Sequence, residues 1–227
     1  MRRTGNVSLN ANYSLSFADG SGSSATSGFN LINTGQPNLR VLQPLNFDQR
    51  HTLSTSVDYR FFDKAQYNGP VIAGKRILAN AGARFTVSAR SGRPYTRQSN
   101  VLQEAAFGIN DRPILKGSIN GSRLPWVFRI DAKFDKNFRV ERKEGKYLDF
   151  NVYLQIQNLL DARNVLNVYA FTGNPDDDGY LTSAVAQEAI VNKTDPQAFI
   201  DLYSIKVNNP NNYSIPRRMN LGLTLNF

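Results

Sequence analysis

The last eleven residues, RRMNLGLTLNF, put Met219, Leu221, Leu223, Leu225 and Phe227 on one face of an extended chain and Arg218, Asn220, Gly222, Thr224 and Asn226 on the other. The same period runs through five earlier segments. Val7, Leu9, Ala11, Tyr13, Leu15 and Phe17 alternate with Asn and Ser, and Leu53, Val57, Tyr59 and Phe61 alternate with residues that include Asp58 and Arg60. Ile77 to Ala89 keeps Ala, Phe and Val on odd positions. Trp126, Phe128, Ile130, Ala132 and Phe134 alternate with Arg129, Asp131, Lys133 and Asp135, and Leu148, Phe150, Val152, Leu154 and Ile156 close the set. A period of two over such lengths predicts strands with one apolar and one polar face.

No apolar-face position in these six segments is Asp, Glu, Lys or Arg, and Lys136 stands just beyond the end of one. A soluble sheet has no reason to exclude long charged side chains so completely, whereas Arg or Lys on a lipid-facing strand costs about 2–4 kcal/mol at the bilayer midplane. Length points the same way. Strands of soluble folds usually run about five or six residues; about eleven residues at about 3.3 Å each, tilted near 45°, cover about 25 Å, the apolar band of an outer-membrane barrel.

The connections alternate. Long polar stretches occupy about 18–45, 91–124 and 171–216, while FDKAQYNGPVIAGK and ERKEGK are shorter. Bacterial barrels have short periplasmic turns and long extracellular loops, so strands one, three and five are expected to run outward. Phe17, Tyr59, Phe61, Trp126, Phe138 and Phe227 would form interfacial girdles. In the fifth segment the apolar set is even-numbered through Ile156 and odd-numbered at Val165, Tyr169 and Phe171. Such an odd slip predicts one strand over 147–171 with a β-bulge, with a hairpin at Asp161–Asn164 as the alternative.

Composition narrows the classes further. The 227 residues contain no run of eighteen apolar positions, which excludes a transmembrane helix, and no cysteine, which excludes disulfides and thiolate chemistry. The net charge of +9 is spread along the chain rather than gathered into a nucleic-acid fingerprint, so no nucleic acid is expected as a partner. MRRTGNVSLN carries a positive start without an apolar core, unlike a secretory signal.

VYLQIQNLLDARNVLNVY resembles the penultimate barrel strand of TonB-dependent outer-membrane receptors, whose Asn-Leu-Phe-Asp core is matched by Asn158, Leu159, Leu160 and Asp161, with Leu for Phe. YSIPRRMNLGLTLNF is similar to their last strand. FTGNPDDDGYL, SGRPYT and LNFDQRHTL resemble the Bacteroidetes-type, Oar-like branch, and the resemblance covers nearly the whole chain. It implies an all-β, antiparallel transmembrane segment of about six long strands, the C-terminal part of a 22-stranded barrel with a plugged lumen. It also implies a bacterial outer-membrane location, with Leu221, Leu223, Leu225 and Phe227 as the signal read by the barrel-assembly machinery. Energised solute uptake would run through a plug to TonB. The chain departs from the family in showing no TonB box, plug or signal sequence. Six strands cannot close a barrel, since the smallest bacterial ones have eight, so the remaining strands and plug come from the same polypeptide or from separate chains.

Candidate chemistry is sparse. His51 is the only histidine, so a rim hydrogen bond is expected of it rather than catalysis, and no catalytic residue or cofactor is assigned. Asp176, Asp177 and Asp178 offer oxygen ligands for Ca²⁺ without the EF-hand spacing; a turn is the competing reading. Asp58, Arg60, Arg84, Arg129, Asp131, Lys133, Asp135 and Asp149 are expected to line the lumen in mutual ion pairs. Gly92, Gly108, Gly117 and Gly121 lack phosphate-loop spacing. The function expected is therefore the C-terminal part of a receptor. The alternatives are a wall subunit of a multi-chain outer-membrane complex and a soluble β-sandwich carbohydrate-binding module.

Overall fold

Six long antiparallel strands follow one another in chain order across a single sheet: β1 (Val7–Leu15), β2 (His51–Arg60), β3 (Ala81–Arg90), β4 (Val127–Glu141), β5 (Tyr147–Gln157) and β6 (Arg218–Asn226). They are seen in a computed structural model that describes residues 3–27, 29, 33, 41–63, 66–101, 113–141 and 147–226. Phe227, the ERKEGK turn beyond Glu141 and parts of the first two long connections lie outside the described residues. A two-residue strand, Arg3–Thr4, pairs with the start of β1 across a tight turn at Gly5 and Asn6. The architecture is mostly antiparallel β, and the sheet is open, with β6 at one edge and Arg3–Thr4 at the other.

Register joins like with like. Tyr59 faces Ala83, which faces Phe134, then Leu154, then Leu221. One step along, Val57, Phe85, Ala132, Ile156 and Met219 form the next row. A slip of one residue in any pair would throw that strand's apolar set to the opposite face, so the alternation itself selects the register. The apolar face thus runs unbroken across six strands and is largely uncovered: Leu221 is 79% exposed and Leu223 59%.

Several boundaries differ from those expected. β3 begins at Ala81, because Ile77 and Ala79 lie in a series of tight turns in which Ala79 N–H donates to Arg76 and Ala81 N–H to Leu78. The connection before it is accordingly longer than the sequence indicated, and Ile72 and Lys75 pair around Ala73 and Gly74, both at positive φ. β4 runs on to Glu141 and carries Lys136, Phe138 and Val140 on the apolar face.

The single strand over 147–171 is also corrected. Regular pairing stops at Gln157↔Arg218 and resumes only at the isolated pair Val165↔Tyr213. Seven residues, 158–164, therefore oppose four, 214–217. The excess of three is odd, which accounts for the change of phase, but it is a compact excursion rather than a one-residue bulge. The hairpin alternative fails too, since Leu166 N–H donates to Asn212 and residues 165–167 keep travelling away from β5.

The third long connection is not simply polar loop. It holds α1 (Ala184–Val191) and α2 (Pro196–Val207), capped by Ser183 and Asp195, whose side chains accept from Ala186 N–H and Ala198 N–H. Tyr180, Ala186, Ile190, Tyr203 and Val207 form a small core between them, with Phe199 and Tyr169 packed against it. The DP dipeptide at Asp195–Pro196 and the Phe199, Tyr203, Val207 spacing are helix signals that were present in the sequence.

Candidate functional site

All eight charged residues expected to share a face do so. Arg84 Nε donates to Asp58 at 3.2 Å, and Arg3 reaches the other oxygen of the same carboxylate. Arg129 lies 2.8 Å from Asp131, and Arg139 donates twice to Asp149, at 2.7 and 2.8 Å. Arg60 spans further: its Nη2 donates to both oxygens of Asp135, at 2.8 and 3.0 Å. The register explains the reach. Arg60 faces Gly82, and Gly82 faces Asp135. A Cβ on Gly82 would sit 2.7 Å from that nitrogen, so the absence of a side chain lets the guanidinium cross β3 to a strand two places away. Tyr153 similarly lies over Gly222, and Lys133 Nζ sits 4.7 Å above the Tyr153 ring. Asp58, Asp131, Asp135 and Asp149 are each paired with an arginine, while Lys133 and Arg90 have no carboxylate within ion-pair distance among the described residues.

At the end of the sheet where the long connections gather, the segments are tied to one another. Asp48, 1% exposed, accepts from Ala18 N–H at 3.0 Å and from Arg123 Nη2. Arg123 also donates to the carbonyls of Asp48 and Gly92. Burial alone would raise the Asp48 pKa, but the Arg123 hydrogen bond, the Ala18 amide and the charges of Arg123 and Arg50 outweigh it and hold the carboxyl below its ordinary value. Asn120 adds a second tie, donating to Pro44 O at 2.7 Å and Asn46 Oδ1 at 2.8 Å. Gln98 N–H donates to Ala170 O at 3.0 Å and links the second long connection to the third. The Asp48–Arg123 link was not identified from sequence, because nothing local relates residues 75 positions apart.

The polar side chains of NPDDDGY bind the protein's own amides and tyrosines. Asp177 Oδ1 accepts from Gly179 N–H at 2.8 Å, Asp178 Oδ1 accepts from Tyr180 N–H at 2.9 Å, and Asn174 does the same for Asp176 N–H at 2.9 Å. Asp176 Oδ2 and Asp178 Oδ2 accept from the hydroxyls of Tyr213 and Tyr203. Among the described residues no three acidic or histidine side chains converge as a metal site, and Asn174, Asp177 and Asp178 form a run of Asx turns, the competing reading of this stretch. The Asp178 carboxylate is buried against Tyr180 and Tyr203; burial first, and that charge second, raise the Tyr180 pKa.

Asn158, Leu159, Leu160 and Asp161 form the excursion after β5. Asn158 and Asp161 both take left-handed backbone, at φ 54° and 53°, which Asn and Asp tolerate better than other residues with a Cβ. The buried Asn158 side chain accepts from Ala162 N–H at 2.9 Å and donates to Ala162 O and Ile215 O, each at 3.1 Å. Its own N–H goes to Asp131 at 2.9 Å, Leu159 N–H goes to Ile130, and Asp161 accepts from Arg217 N–H at 2.7 Å. Nearby, the Asn164 side chain accepts from Phe128 N–H and donates to Phe128 O, both at 2.8 Å, standing in for a missing strand partner. The motif therefore binds β4, β5 and the entry to β6 together.

On the apolar face, aromatics gather at both ends. His51 is paired with Leu15 and so belongs to this face; the Tyr13 hydroxyl lies 2.8 Å from its Nδ1 and Trp126 stacks on it at 5.7 Å. Tyr59, Phe61 and Phe138 occupy the opposite end. Leu221, Leu223 and Leu225 share the face along β6, beside its unpaired edge. No family model matches this chain, and no curated protein or solved structure matches it.

Proposed function

We propose that the chain is the C-terminal part of a TonB-dependent outer-membrane receptor, in which β1–β6 form one arc of a 22-stranded barrel. The observation that carries the reading is the two-faced sheet: a continuous uncovered apolar face across all six strands, backed by a face of paired charges. In water such an apolar area would be an aggregation surface; in a bilayer it is the required contact, and the paired charges then line an aqueous lumen. The open edges fit an arc, because unpaired backbone groups are not tolerated in hydrocarbon and further strands must complete the wall. The interlocked long connections suit an extracellular surface that contacts solute. The solute passes no residue that performs covalent chemistry; the plug and TonB supply the energy coupling, and the barrel-assembly machinery reads the last strand.

The open edges also favour the second reading, a wall subunit of a multi-chain complex without transport of its own. Trp126 tests the membrane step shared by both readings. It is the only tryptophan and 57% exposed on the apolar face. In the complete wall that carries this chain, reconstituted in phosphatidylcholine vesicles, the Trp126 emission, taken as the difference from Trp126→Phe, lies to the blue and is quenched by brominated lipid. A native assembly that stays in the aqueous fraction with unshifted Trp126 emission overturns both and favours the carbohydrate-binding alternative. Mass analysis of the outer-membrane polypeptide that carries this sequence then separates them: peptides continuing into a plug support the receptor, and co-purifying β-rich chains support the subunit.

A further inference from the structure

The apolar face is not level. Along β3 its side chains shrink to Ala81 and Ala83, set by the register between Tyr59 of β2 and Phe134 of β4. The aromatic walls and the small floor leave a trough of about 570 Å³ whose lining is almost wholly apolar. At its end nearer the short turns stands Lys136, facing Ala81 and Val152 across the neighbouring strands. It is the one Lys, Arg, Asp or Glu on this face among the described residues of β1–β6. Its ammonium donates to the Ile77 carbonyl and lies 5.0 Å from the Phe138 ring. An ammonium carries three N–H donors, so two remain for a ligand, at the boundary where an unpaired charge is costly.

A linear apolar groove that ends in one anchored cation matches an acyl chain joined to a phosphate. We infer that the trough is a binding site for one glycerophospholipid, with an acyl chain along Ala81 and Ala83 and the headgroup phosphate on Lys136 Nζ. The site rests on the membrane reading above. The anchored lysine favours an anionic headgroup, with a preference of about fivefold for one cation near the surface. It also gives Lys136 a reason to stand on a face that otherwise excludes charge.

The test uses the complete barrel that carries this chain, taken from the outer membrane and reconstituted in phosphatidylcholine vesicles doped with spin-labelled phosphatidylglycerol or spin-labelled phosphatidylcholine. It reads the motionally restricted fraction by electron paramagnetic resonance, with Trp126 emission taken as the difference from Trp126→Phe. The expected result is a restricted component that prefers phosphatidylglycerol by about fivefold. Lys136→Gln abolishes the preference, and Ala83→Phe, which fills the trough, removes the component for both lipids. Trp126 lies at the opposite end of the sheet and reports insertion separately. Inserted protein with a blue-shifted Trp126 and a restricted fraction indifferent to both substitutions overturns the lipid site and leaves the membrane reading standing. An unshifted Trp126 overturns the membrane reading and the lipid site together.

Discussion

Leu221→Arg separates a sheet that lives in lipid from one that lives in water. Leu221 stands at the middle of β6, opposite Leu154, and its side chain is already mostly exposed in the isolated sheet. If the sheet were soluble, an exposed Leu replaced by Arg would change stability by no more than about 0.5 kcal/mol. At the bilayer midplane the same change costs about 2–4 kcal/mol, or about 30- to 700-fold in the folding equilibrium. With a urea slope of about 1–3 kcal/mol/M, the unfolding midpoint falls by about 0.7–4 M. The assay is urea titration of the complete barrel that carries this chain in phosphatidylcholine vesicles, followed by Trp126 emission as the difference from Trp126→Phe. Asn220→Arg is the internal control: it is the adjacent residue, paired with Gln155 on the charged face, and should move the midpoint little. Leu225→Arg, nearer the strand end, should cost about 0–1 kcal/mol. Equal effects at positions 220 and 221, or no fall in the Leu221→Arg midpoint, would refute the assignment of the apolar face to lipid.

Three further predictions concern the ties that shape the site. Asp48→Ala removes the buried acceptor of Arg123 and Ala18 and should loosen the first two long connections by about 1.5–3 kcal/mol, read as faster proteolysis within residues 18–45. Because the folded-state pKa of Asp48 is lowered, its contribution is fully present above the ordinary carboxylate range near pH 4 and is lost as pH falls through the lower folded value, so acid alone should reproduce the loosening. Asn158→Ala should destabilise more than Asn158→Gly by about 1 kcal/mol or more, since both lose the side-chain hydrogen bonds but only Ala resists φ 54°; urea midpoints in vesicles compare them. Tyr203→Phe leaves one oxygen of buried Asp178 without its donor, at a cost of about 1–3 kcal/mol, and should appear as lost helical dichroism with the β signal intact.

The strands were legible in the sequence because their information is local. Alternation assigns each residue to a face whatever its neighbour strand is, and at one residue of slip the apolar set changes sides, so pattern and register agree across all six strands. The motif at Asn158–Asp161 was visible as a break in phase, yet its form was not. A left-handed turn that borrows acceptors from Asp131 and Ile215 depends on strands distant in sequence. The helices are hidden for another reason: the polarity of a long segment between strands masks them, although Asp195–Pro196 and the Phe199–Tyr203–Val207 stripe announce α2.

By itself, then, the sequence determined the class of sheet, the two faces, the alternation of long and short connections and the absence of thiol chemistry, all of which follow from residue type and spacing. Only the tertiary structure decided which charges meet. Arg60 reaches Asp135 because Gly82 happens to lie between them, Asp48 is sealed by an arginine from another connection, and the aspartates of NPDDDGY accept from amides and tyrosines of their own connection. Those outcomes depend on distances between segments far apart in the chain, and no local pattern encodes a distance across three strands.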